Sequence, residues 1–134
     1  VEQGELMAVA SWLTPRRARY ALGVSRLVNG SLALAVPSKL VKTFGEDPAD
    51  NGPALYALRL FGVRTVVLAL QLLLADDASL PTHLKYAVWI HGSDTASALT
   101  AGVRHELPAR AAATGTLLSS LNTLFAVTAR RALR

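Results

Sequence analysis

The sequence predicts an all-α fold: a four-helix transmembrane bundle, up-down-up-down, with short loops. Three observations carry that expectation. Residues 18–37, 53–75, 82–104 and 108–130 each read as one long helix, and a helix of that size covers about 30 Å, the thickness of a bilayer's hydrocarbon core. Each span keeps its least apolar residues at its own midpoint: Arg26 with Asn29, Arg64, His91 with Asp94, and Ser119 with Ser120 and Asn122. The chain is 17% charged and 51% hydrophobic, where soluble domains carry about 25% charged residues.

In chain order, residues 1–17 read as a flexible cytoplasmic tail and 18–134 as a single four-helix membrane domain. Met7 is either the true start or an internal residue. Span one ends at Pro37, and residues 44–52 form a turn-rich acidic loop. Pro53 suits the first turn of a helix, where its missing N–H costs nothing. Residues 76–81 make a second loop, with Thr82 as the N-cap of span three. A third loop covers 104–107, and Pro108 opens the last helix. Short loops join antiparallel neighbours, so sequence neighbours should pack together. A signal peptide is the competing reading of span one, but Arg26 and Asn29 sit where its apolar core should be cleanest.

Helical spacing assigns a face to each span. Gly23, Arg26, Gly30 and Ala33 share one stripe, with Asn29 beside it. Ala57, Phe61, Arg64, Leu68 and Gln71 share the second, and Ala87, His91, Asp94, Ala98 and Ala101 the third. Gly115, Ser119, Asn122 and Ala126 form the fourth, where Gly115 and Ser119 make a small-residue packing pattern. A soluble bundle is the alternative, since no span has 18 or more uninterrupted apolar residues. It needs a polar face on every helix, and Val66–Leu74 on span two is apolar nearly all round apart from Gln71.

The net charge of +5 is concentrated at the ends. Arg16, Arg17 and Arg19 precede the first span; Arg130, Arg131 and Arg134 follow the last. With Lys85 these give seven basic residues on one side against four on the other (Lys39, Lys42, Arg104, Arg110). The positive-inside rule then places both termini in the cytoplasm. Arginine outnumbers lysine eleven to three, which with the alanine bias points to a bacterial genome and its cytoplasmic (inner) membrane. A nucleic-acid partner is not expected, because no basic stripe with stacking aromatics or known module is present. The chain has no cysteine, which removes disulfides, thiolate nucleophiles and Cys-based zinc sites.

Chemistry at mid-depth is limited to a few groups. Asp94 is the one acid within any span, and Arg26 and Arg64 are the central bases. Because an unpaired charge in hydrocarbon is costly, Asp94 should pair with Arg64, or failing that with Arg26. That leaves one positive charge over if His91 is neutral. The candidate ligand-binding residues are therefore Arg26, Asn29, Arg64, His91, Asp94, Ser119 and Asn122, with His91 and Asp94 the catalytic candidates. A Ser119–His91–Asp94 triad can be assembled, but no nucleophile motif surrounds the serine. Two ligands at i, i+3 do not make a metal site, so neither metal nor cofactor is expected. The same cluster also serves a purely structural reading, locking the register of the bundle.

The segment Arg59-Leu-Phe-Gly-Val-Arg64, followed by an apolar run and a third helix carrying an Asp, resembles a group of small bacterial four-helix integral membrane proteins of unknown function. In that group a Gly-x-Arg on helix two and an Asp on helix three recur, here Gly62, Arg64 and Asp94. DoxX-like membrane proteins are similar in architecture and less so in motif. The resemblance spans about residues 18–130 and implies a fold and a polar pair; His91 departs from it. Two function classes remain. One is a non-enzymatic accessory subunit, in a larger membrane complex or homo-oligomer, or a binder of an anionic lipid or small acid. The other is a membrane-embedded enzyme using His91 and Asp94 for acid-base chemistry on a lipid or quinone-like substrate.

Overall fold

The computed structural model describes residues 12–133, and these are all-helical with no strand. The expected tail and Met7 lie largely outside the described residues. Helix α1 spans Pro15–Ala35, the short α2 Pro37–Thr43, α3 Gly52–Leu73, α4 Leu80–Val103 and α5 Ala109–Arg130, with a final 3-10 turn at Arg131–Leu133.

The helix ends follow local chemistry. Pro15 opens α1 behind Thr14, whose hydroxyl accepts from the Arg17 N–H. Arg16 and Arg17, expected in the tail, thus lie on the first turn of α1. The helix breaks at Val36, and Pro37 starts α2, an element the sequence reading assigned to no helix. Gly45, at φ 92°, stops α2 while the Glu46 N–H bonds back to the Val41 carbonyl. His105 does the same for α4 at φ 56°, with Glu106 N–H on the Ala101 carbonyl. Thr82 is not the cap of α4. Helix α4 begins two residues earlier, with Ser79 at the N-cap position and Pro81 in its first turn. The Asp76 carboxylate organises that turn by accepting from the Ser79 N–H and hydroxyl, and these bonds hold it below the usual aspartate range.

Two tight antiparallel pairs build the molecule: α1 with α3, and α4 with α5, joined mainly where α1 meets α5. Small residues set this pattern. Gly30 and Gly62 lie against each other where α1 crosses α3, so close that a Cβ on Gly62 would sit 2.8 Å from the Gly30 carbonyl oxygen. Gly102 faces Ala112, and Gly115 faces Ala98, between α4 and α5. Helices α3 and α4 behave differently. They share the short loop 74–79 yet barely touch, against the expectation that sequence neighbours pack. Cavities lie between them, lined by Phe61, Arg64, Leu68 and Gln71 on α3 and by Tyr86, Ile90 and Asp94 on α4.

The packed core sits at one end of the bundle. Ala18, Leu22, Leu72, Leu84, Ala87, Ala126 and Ala129 are buried there, with Leu13, Leu80, Val88 and Phe125 against them. Arg19 ties this end together by donating from Nε to the Leu72 carbonyl and from Nη2 to the Ala75 carbonyl, 3.2 and 2.7 Å. Its charge thus lies at the negative end of α3. The outer faces carry large apolar side chains: Val24, Val28, Val63, Val67, Leu117 and Leu124 are exposed, and Trp89 is 70% exposed.

Of the four membrane-length spans expected, one helix among the described residues, α3, is long and apolar enough by itself to cross a membrane. The other three carry polar residues near mid-length, among them Arg26 and Asn29, His91 with Ser93, Asp94 and Thr95, and Ser119 with Ser120 and Asn122.

Candidate functional site

The stripes expected on α1, α4 and α5 turn inward. Gly23, Arg26, Gly30 and Ala33 are all buried on α1; Ala87 and His91 are buried on α4, Asn122 and Ala126 on α5. The stripe on α3 requires correction. Its buried residues are Gly62, Thr65, Ala69 and Leu72, one position on from the expected Phe61, Arg64, Leu68 and Gln71. Since α3 is apolar nearly all round, periodicity has no polar face against which to define a buried one.

Above the packed core the bundle is hollow. A cavity of about 350 Å³ lies between α1, α3, α4 and α5, with Leu40 and Phe44 of the α2 segment at its far end. All seven candidate residues line it: Arg26, Asn29, Arg64, His91, Asp94, Ser119 and Asn122. Its walls are apolar, with Leu32, Leu58, Phe61, Leu68, Ile90 and Leu118 prominent. Such a volume falls at the lower end of the range of about 300–1,000 Å³ typical of small-molecule sites.

Two pairings organise the polar floor. Arg26, 2% exposed, donates from Nε to His91 Nε2 at 2.7 Å. A guanidinium only donates, so His91 Nε2 offers its lone pair and the ring is neutral with its proton on Nδ1. Arg64 Nη2 meets Asp94 Oδ2 at 3.3 Å across the α3–α4 seam, and the guanidinium lies over the Phe61 ring at 5.9 Å. Arg64 is thus the partner of Asp94, as expected. The pair is not dry, however: the two side chains are 52% and 30% exposed, because the seam is open.

The pairing gives His91 and Asp94 separate partners. Asp94 turns to Arg64, and the one lone pair His91 presents at Nε2 is taken by Arg26. Ser119 contributes its carbonyl to the Thr123 hydroxyl and makes no bond to the imidazole, so no triad forms. Asn29 is held by Ser25, with Nδ2 donating to Oγ at 3.3 Å.

Among the described residues two buried side-chain polar atoms remain without a hydrogen-bond partner, Arg26 Nη2 and Asn122 Oδ1. Buried polar atoms are rarely left so. One is a charged donor and the other an acceptor, and both belong to residues on the cavity wall. With His91 neutral, two guanidiniums face one carboxylate, leaving one positive charge in the cavity. The arrangement suits one oxyanionic group carrying, or lying beside, an O–H or N–H donor. Among the described residues no cluster of three or more metal-ligating side chains occurs. No protein-family model matches the chain, and no curated protein or solved structure matches it either.

Proposed function

We propose that this chain is a four-helix protein of the bacterial cytoplasmic membrane that binds a small, singly charged acid or an anionic lipid headgroup in its hollow half. The observation that carries the reading is Arg26, whose side chain lines an apolar-walled cavity with one surplus positive charge and whose Nη2 is buried without a hydrogen-bond partner. An unsatisfied buried donor costs about 1–3 kcal/mol, more for a charged group, so an oxyanion that satisfies it binds with that deficit in its favour. The membrane setting is supported by the apolar outer faces of all four long helices and by charges gathered at the chain ends. Within such a bundle Arg26, His91 and Asn122 are buried among the helices, where intramembrane polar groups belong. A quinone-like carbonyl meets the same donors more weakly, since it lacks the charge.

Titration calorimetry of the full chain in detergent with benzenesulfonate, a permanently charged acid with an apolar body, tests the site. The expected result is saturable binding that weakens at least about tenfold in Arg26→Gln, with helix content unchanged by circular dichroism. Equal binding by that variant would sink the proposal. Native mass spectrometry separates the two sources of ligand. A co-purifying lipid released by benzenesulfonate identifies a headgroup, and an empty protein that takes up only the free acid identifies the acid.

A further inference from the structure

We propose that the seam between α3 and α4 is a passage for small monovalent anions, with the Arg26 site as its midpoint. This extends the membrane and binding readings above and rests on them. The cavity of about 350 Å³ does not stand alone. A second, of about 180 Å³, shares Arg26, Leu68 and Ile90 in its wall with the first. That second cavity in turn shares Gln71 and His83 with a third, of about 440 Å³, which opens at the surface beside Asp76 and Ser79.

The three follow one another along a single seam. On α3 their lining residues run from Leu58 to Gln71, about 20 Å of helix at 1.5 Å per residue. The hydrocarbon core to be crossed is about 30 Å thick. The seam runs where α3 and α4 barely touch, whereas glycine and alanine contacts close the α1–α3 and α4–α5 pairs. Polar groups recur along it: Arg64 with Asp94, then Arg26, then Gln71 with His83, then Ser79 with Asp76 at the open mouth. Such a row beside lipid is where a hydrated path across a membrane costs least.

Arg26 determines what passes. Its side chain belongs to the walls of both the larger and the middle cavity, together with Leu68 and Ile90. An anion bonded to this side chain can exchange one cavity for the next without giving up its charged partner. A cation meets a surplus positive charge at the same point. The middle cavity is the smallest of the three, which restricts passage to small anions.

The test reconstitutes the full chain in liposomes loaded with potassium methanesulfonate, which stays ionised and does not cross as a neutral acid. Valinomycin carries the potassium, and its release after dilution reports anion efflux. Release at least about tenfold faster than from protein-free vesicles is expected. Gln71→Trp fills the middle cavity without touching the larger one. It should return release to background while benzenesulfonate binding stays within about twofold. Binding by the wild-type chain without release overturns the passage and leaves the site intact. Absence of both binding and release overturns the passage and the site together. Release that Gln71→Trp does not slow overturns the seam as the route.

Discussion

Asp94 shows how much one side chain's surroundings matter. Its depth and its arginine partner follow from the sequence, because the one acid within the spans has to find a base. Its wetness does not, since that depends on α3 and α4 failing to close. Loss of a dry pair costs about 3–5 kcal/mol, whereas a solvated pair contributes about 0–1 kcal/mol. Asp94→Asn is therefore expected to lower unfolding stability by about 1 kcal/mol or less. It removes the cavity's one negative charge and should tighten benzenesulfonate binding about tenfold, read by calorimetry. Weaker binding would show that the carboxylate itself holds the ligand. Asp76 provides a pH-dependent contribution. Its folded pKa is depressed by Ser79, so its stabilisation is present above the unfolded value of about 3.9 and disappears as pH falls through the folded value. Asp76→Asn should flatten the acid limb of a thermal-stability profile. An unchanged limb would assign that loss to other carboxylates.

At the scale of the helix, α3 is the element the sequence describes least completely. Arg64 draws the expected stripe onto the seam side, but a close backbone-to-backbone approach to α1 is made by Gly62, two residues earlier. The Gly62-x-Arg64 motif thereby gains a physical meaning: the glycine lets α3 press on α1, and the arginine reaches across to α4. Gly62→Ala places a Cβ 2.8 Å from both the Gly30 oxygen and the Leu34 nitrogen, atoms of backbone that cannot swing aside. The helices must separate, at a cost of about 1–3 kcal/mol. A lowered melting temperature in detergent checks this, and Gly92→Ala, where nothing lies within 4 Å, is the control. On α1 and α5 the stripes were legible because polar and small residues alternate there with large apolar ones. Helix α2 was not, because seven residues behind a proline carry too little periodicity to stand out from a loop.

For the whole molecule, the expected arrangement places both chain ends and the 74–79 loop on the cytoplasmic side, with the 44–51 loop outside. Single cysteines at Ser38 or Asn51 should label from outside intact cells, while one at Asp77 should not. The opposite pattern would reverse the orientation, and extraction by high salt without detergent would exclude membrane insertion. The shared depth of the polar residues was readable from their position in each span, and it places seven of them around one space. The space itself was not readable, because it arises from the seam and from the α2 segment, whose Leu40 and Phe44 complete its wall.

The division between a packed end and a hollow one gives the chain two local stabilities. Amide hydrogens beside Leu22, Leu72 and Leu84 open only when the whole bundle does. Those beside Leu32, Leu58 and Leu118, with empty volume on one side, are released by smaller fluctuations. Deuterium should therefore enter each long helix from its cavity end, so that a single helix carries a gradient of exchange along its own length.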